Sequence, residues 1–145
     1  MTQPDPFPTL PSDVPPERGF VHPSGVAYGW WTEDEILHMK IGTPAHEKGA
    51  LFTEADALIA GEVVEHLIEG IDRFVTLVDI RGLRRSSAKA RRMMPNPKTE
   101  RMAILVKSPV NRMLGNAYLG ITRPLCLTRL YTRIDKANAW LLEGQ

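Results

Sequence analysis

The apolar positions change period several times along the chain, and each change marks an element. Residues 26–32 and 36–41 are strand-like runs separated by Glu33, Asp34 and Glu35, a pattern that predicts a hairpin with an acidic turn. Trp30 and Trp31 are adjacent in the first run and so face opposite sides of it. Over 54–69 the period lengthens to that of a helix. Ala57, Ala60, Val63, Val64, Leu67 and Ile68 share one face, while Glu62, Glu65 and Glu69 share the other, with Leu58 among them as a candidate contact point. Thr53 suits the N-cap, Glu54 and Asp56 the positive end of the dipole, and Gly70 the position just past the end.

The second half alternates regularly. Residues 73–80, RFVTLVDI, form a continuous apolar run of the kind buried on both faces as a central parallel strand. A loop and a short helix over about 86–94 follow, with Ser86 as N-cap and Pro95 and Pro97 as stops. Residues 101–107 are the next buried strand. A helix then starts with Ser108 as N-cap and Pro109 at the first helical position, and Val110, Met113, Leu114, Ala117, Tyr118 and Ile121 recur as its buried stripe. Residues 125–132 form a last strand with Cys126 packed inside it. The closing helix over 133–144 buries Ile134, Ala137, Trp140 and Leu141. The order β-β-α-β-α-β-α-β-α predicts an α/β fold with right-handed parallel crossovers in its second half and a sheet made mixed by the opening hairpin. Residues 1–24 hold seven prolines and read as an extended arm, leaving 25–145 as the domain.

Composition narrows the classes. A chain of 145 residues suits one core. Cys126 is the single cysteine, so no internal disulfide forms, and no apolar run approaches the ~20 residues needed to span a membrane. With no basic start followed by an apolar stretch, the cytoplasm is the expected compartment and membrane insertion is not expected. The net charge of +1 hides two poles: residues 33–72 carry ten acidic and two basic side chains, and residues 73–101 carry nine basic and two acidic. Such poles suit a charged protein partner or a second copy of the chain.

Candidate chemistry gathers where open α/β sheets place it, at the carboxyl ends of parallel strands. Asp79, Arg81, Arg84, Arg85, Ser86 and Ser87 follow one strand. Lys107, Ser108, Asn111 and Arg112 follow the next. Together they predict a basic, donor-rich rim suited to an acidic peptide or a phosphate. No glycine-rich phosphate loop is present, no serine sits in a nucleophile elbow, and His22, His38, His46 and His66 are scattered and read as surface imidazoles. The expectation is a non-enzymatic domain with no catalytic residue, metal, cofactor or nucleic-acid partner. Gly115 and Gly120 inside a helix imply close packing against that helix. Met93, Met94, Met102 and Met113 suit either core filling or an adaptable pocket.

Two segments carry a family resemblance. LVDIRGLRRSSAKAR, residues 77–91, resembles the strand-loop-helix in which anti-anti-sigma factors place their switch serine, and residues 107–141 resemble the C-terminal half of small stand-alone bacterial SpoIIAA-like proteins of unsettled role. The order of elements is similar to the SpoIIAA-like fold shared by STAS domains and the lipid-carrier-like domains grouped with SEC14. The resemblance implies a STAS-type mixed sheet over about 26–143. It places Ser86 and Ser87 at the switch position, as candidate phosphorylation residues. Arg84 and Arg85 stand where the switch carries an acidic residue, and Ala88 where it carries glycine. The function expected first is a regulatory or protein-interaction domain that binds a protein partner through the strand-end rim and adjoining helices; the alternative is a module that holds a small apolar or lipid ligand between sheet and helices.

Overall fold

A computed structural model of the chain describes residues 7–143. The predicted hairpin is present: β2 (Ala27–Trp31) pairs antiparallel with β3 (Ile36–Ile41). Its turn depends on Glu35, which adopts a φ of 62°. The Arg18 guanidinium clamps that turn, donating to the carbonyls of Trp31 and Thr32 and to the Glu35 carboxylate. Arg18 can do so because the end of the proline-rich segment joins the sheet. Gly19–Val21 form an edge strand, β1, antiparallel to β2. Within 1–24, read from sequence as an arm, the chain therefore contributes one strand; its first six residues lie outside the described range.

The main sheet has the order β1-β2-β3-β5-β7-β8, where β5 is Phe74–Asp79, β7 Thr99–Leu105 and β8 Leu127–Tyr131. The strands from β3 onward run parallel. Each crossover moves the chain in the same direction across the sheet, so right-handedness places every crossover helix on one face. These are α2 (Glu54–Leu67), α3 (Ala88–Arg92) and α4 (Pro109–Thr122), preceded by the single turn α1 (Pro44–Glu47). Among the described residues only α5 (Ile134–Leu142), which follows the last strand, covers the other face. Strand alternation then divides the core. Met39, Ile41, Val78, Met102 and Ile104 point toward α2, α3 and α4, whereas Ile36, Val75, Leu77, Ala103 and Leu105 meet Ala137, Trp140 and Leu141 of α5. This double coverage is why the central strands read as unbroken apolar runs.

Several expectations are corrected. The third helix begins at Ala88, two residues later than predicted, and Ser87 rather than Ser86 is its N-cap, accepting from the Ala90 amide at 3.0 Å. The cause is a second, two-stranded sheet: β6 (Arg85–Ser86) pairs parallel with β4 (Leu51–Phe52), and the Ser87 amide donates to the Phe52 carbonyl, so the chain is still extended at Ser87 and Ala88 is the first helical residue. Helix α4 is rotated from its predicted stripe. It buries Asn111, Leu114, Gly115, Tyr118 and Thr122, and leaves Val110 57% and Met113 73% exposed. Ile134 is exposed on α5. Cys126 lies just before β8, partly buried.

His38 and His46 are not surface imidazoles; both are buried. The His38 ring bonds Asn138 Oδ1, and burial pushes its pKa below the ordinary imidazole value against the opposing effects of that bond and of Asp79. His46 joins the cap of α1 to Asp56 of α2. At position 46 histidine supplies polar contacts through both ring nitrogens while its ring packs against Phe52.

Candidate functional site

The strand-end rim exists, but most of its polar groups already have partners. Asp79, at the end of β5, takes two hydrogen bonds from the Arg81 side chain, at 3.0 and 2.8 Å, and one from the Arg81 amide, with the Lys40 ammonium 3.6 Å away. Burial alone would raise this carboxyl; the Arg81 bonds and the Lys40 charge outweigh it and hold the group below its usual range. Lys107 is paired with Glu47 of α1. Lys40, Glu47, Arg81 and Lys107, with Tyr28 and Gly42, line a cleft of about 300 Å³.

Asn111 is a clamp. From the first turn of α4 its amide donates to the carbonyls of Ile80 and Leu83, and its oxygen accepts from the Lys107 amide. One buried side chain thus satisfies three backbone groups of the loops that leave β5 and β7. Ser108 caps α4, accepting from the Asn111 amide. Ser86 is buried, and the Arg91 guanidinium donates to its carbonyl. Arg84, Arg85 and Arg112 remain exposed, and no ion pair holds any of them among the described residues. The acidic face of α2 is not their partner: Glu62 meets His22 and Glu65 meets Asn96.

A different site lies on the crossover face. Helix α2 packs over β1 and β2, and α4 packs beside β8. Between them the sheet is roofed only by the five-residue α3 and the segment 93–98. So short a roof leaves a cavity of about 340 Å³. Met39 and Ile41 of β3, Phe74, Thr76 and Val78 of β5, and Thr99 and Met102 of β7 form its floor. Ala57, Ala60, Gly61 and Val64 of α2 form a wall of small side chains, and Tyr118 of α4 faces them. Met93, Met94, Pro95 and Pro97 close the top, and Leu58, 55% exposed, stands at the rim. Asn96 donates to Glu65 at 3.1 Å, tying the roof to α2.

The lining is chemically simple. Among the described residues, Glu65 is the single charged one that lines it. Two hydroxyls of lining residues, Thr99 Oγ1 and Tyr118 Oη, are buried and have no hydrogen-bond partner among the described residues. Burial raises the Tyr118 phenol; nearby Ser86 and Arg91 oppose that shift, although the Ser86 hydroxyl falls outside bonding geometry. Of the four methionines singled out from sequence, Met93, Met94 and Met102 line this cavity, while Met113 lies outside it. Sequence reasoning missed Thr99 and Phe74 as lining residues. The available signal was the period of two in β5, which sends Phe74, Thr76 and Val78 to one face.

The model of a domain family of unknown function, DUF7793, matches residues 30–144. No curated protein matches the chain. Among solved structures the chain is similar to an uncharacterised protein of the DUF3478 family with a SpoIIAA-like fold from Shewanella loihica PV-4. The identity is 19%, the TM-score is 0.55, and the match covers 78% of this chain and 90% of that one. It is also similar to a protein of unknown function from Arthrobacter sp. FB24, with 32% identity over 79% of this chain and 98% of that one, at a TM-score of 0.29. The likeness to the Shewanella protein shows the SpoIIAA-like fold.

Proposed function

The chain belongs to the DUF7793 family, whose function is unknown, and from its SpoIIAA-like fold and its crossover-face cavity we propose that it is a non-enzymatic module that binds a small apolar ligand. The observation that carries this reading is the cavity itself, about 340 Å³ with an almost uncharged lining. An apolar cavity of ~150 Å³ takes up benzene, and small-molecule sites begin at ~300 Å³. The adaptable methionines of the roof and the small side chains of α2 suit a hydrophobic guest.

The test is binding of the neutral fluorophore N-phenyl-1-naphthylamine to the full chain. Saturable fluorescence at one site is expected. Ala60→Leu, which fills the α2 wall, weakens binding at least tenfold while the thermal melt stays cooperative. Absence of saturable binding, or binding indifferent to Ala60→Leu, refutes the proposal.

A second reading has an observation of its own. Arg84 and Arg85 are exposed and carry no ion pair among the described residues. Leu51, across from Arg85 in the small sheet, is exposed, as are Val110 and Met113 on α4. Asn111 holds the start of α4 against the loop that precedes Arg84. This basic and apolar surface supports a regulatory role in which an acidic segment of a protein partner, or of a second copy of the chain, docks there. Its test is a salt series of association with Arg84 and Arg85 replaced by alanine.

A further inference from the structure

One position of α2 is bare without serving the fold. Gly61 lies in the middle of the helix, where glycine is among the least favourable residues. Two structural reasons commonly retain a glycine: a backbone conformation that other residues resist, or a neighbour too close for a Cβ. Neither holds at Gly61. Its φ is not positive, and a Cβ built on it would meet nothing within 4 Å beyond its own helix backbone. Gly115 of α4 is the contrast, since a Cβ there would stand 2.7 Å from Val106 Cγ1.

What Gly61 does border is the cavity. Leu58, one turn before it, and Glu65, one turn after, line the cavity with it, and all three are exposed. The Asn96 side chain donates to Glu65 and holds the roof segment against that end of the helix. The cavity therefore opens to solvent along this edge of α2, and between Leu58 and Glu65 the edge carries a notch with no side chain in it. A guest enclosed beneath the roof gains nothing from a missing side chain at an exposed position. A guest that leaves the cavity there needs the space. We infer that the ligand is a single-ended amphiphile: its apolar body fills the cavity, and its other end passes out over the bare Gly61 backbone into solvent. The inference rests on the cavity being a binding site.

Two measurements on the full chain test this. The first follows N-phenyl-1-naphthylamine bound to the cavity and displaces it with decanol or with decyl maltoside below its micelle-forming concentration. The two share an apolar chain and differ in the size of a neutral head. Both are expected to displace the fluorophore, with affinities within about threefold, because the head lies outside the cavity. The second measurement uses substitutions. Gly61→Ala and Gly61→Leu place a better helix former in open space, so each raises the melting temperature of the unliganded protein, by roughly 2–4 °C. Gly61→Leu also fills the notch and weakens decyl maltoside binding about tenfold. Gly120→Ala is the control. Gly120 is equally free of neighbours but lies outside the cavity, so this variant is expected to melt higher and bind decyl maltoside as before.

Displacement by decanol but not by decyl maltoside shows a guest enclosed on all sides and overturns the inference, as does displacement by neither. Decyl maltoside binding indifferent to Gly61→Leu shows that the exit lies elsewhere and overturns it too. Lower melting of unliganded Gly61→Ala shows that the fold itself needs the bare position, with the same consequence. Each of these outcomes leaves the cavity reading in place. If the fluorophore does not bind the wild type saturably, the cavity reading itself fails.

Discussion

At the scale of single residues, two neighbouring serines divide the work that sequence assigns to one. Ser87 turns its hydroxyl back to the Ala90 amide and starts α3, whereas Ser86 is held extended against Phe52 with its side chain buried. Contact between the Ser86 hydroxyl and Arg91 is long, 3.4 Å, and the stronger bond from Arg91 goes to the Ser86 carbonyl, which any residue keeps. Ser87→Ala is therefore expected to lower stability by about 1 kcal/mol, the usual loss of a cap. Ser86→Ala should cost less than about 0.5 kcal/mol, since only a marginal hydrogen bond disappears. Urea unfolding of the two variants decides the order, and a larger loss at Ser86 would return the cap to that position. Asn111 shows the same principle at greater weight. Its polar atoms are consumed by the backbone, so a residue that looks like part of a binding rim is a structural clamp.

At the scale of elements, α4 shows how close approach overrides apolar pattern. Gly115 lets the helix descend onto the sheet: a Cβ there would stand 2.7 Å from Val106 Cγ1 and 3.2 Å from Leu130 Cδ2. Turning that bare face inward brings Asn111 and Thr122 with it and swings Val110 and Met113 out. Gly120 has no such neighbour within 4 Å. The two glycines of one helix should respond oppositely to alanine. Gly115→Ala destabilises by about 1–3 kcal/mol through overpacking. Gly120→Ala stabilises by about 0.5–1 kcal/mol through helix propensity. Denaturation midpoints measure both, and equal effects would contradict the packing of α4. The same economy of length governs α3, whose five residues are too few to cover the sheet between α2 and α4.

At the scale of the whole molecule, among the described residues the cations of the basic pole meet the carboxylates of the acidic pole in one ion pair, Lys89 with Glu54. His22 and Asn96 occupy Glu62 and Glu65, and Arg84 and Arg85 stay free of ion pairs among the described residues. Exposed charges of this kind add little to stability. Replacing Arg84 and Arg85 together by alanine should shift unfolding free energy by no more than about 0.5 kcal/mol. If the basic and apolar surface docks an acidic segment, the same variant weakens association about tenfold at low ionic strength, and by much less near 1 M salt, where the screening length falls to ~3 Å. Sedimentation of the protein alone and with a labelled acidic amphipathic peptide measures both forms of association. Association unchanged across the salt series would reduce these arginines to solvated surface.

The sequence by itself determined the elements and their order, because both are written in local period. Alternation over 26–41, helical spacing over 54–69 and the unbroken apolar runs at 73–80 and 101–107 need no knowledge of the partner to be read, and the handedness of crossovers turns that order into a parallel sheet. It also marked the strand ends as the polar edge of the fold. Only the tertiary structure decided which polar groups there are already consumed: Asp79 by Arg81, Asn111 by three backbone groups, Ser87 by a helix end. Hydrogen-bond satisfaction depends on residues far apart in sequence, 31 positions for Asn111 with Ile80 and 60 for Lys107 with Glu47, and no local pattern carries that. The pairing of β4 with β6 that delays α3, the rotation of α4 about Gly115, and the cavity beneath a roof too short to close it have the same origin. Each arises from the distance between two elements, and that distance is set by side chains far apart in sequence.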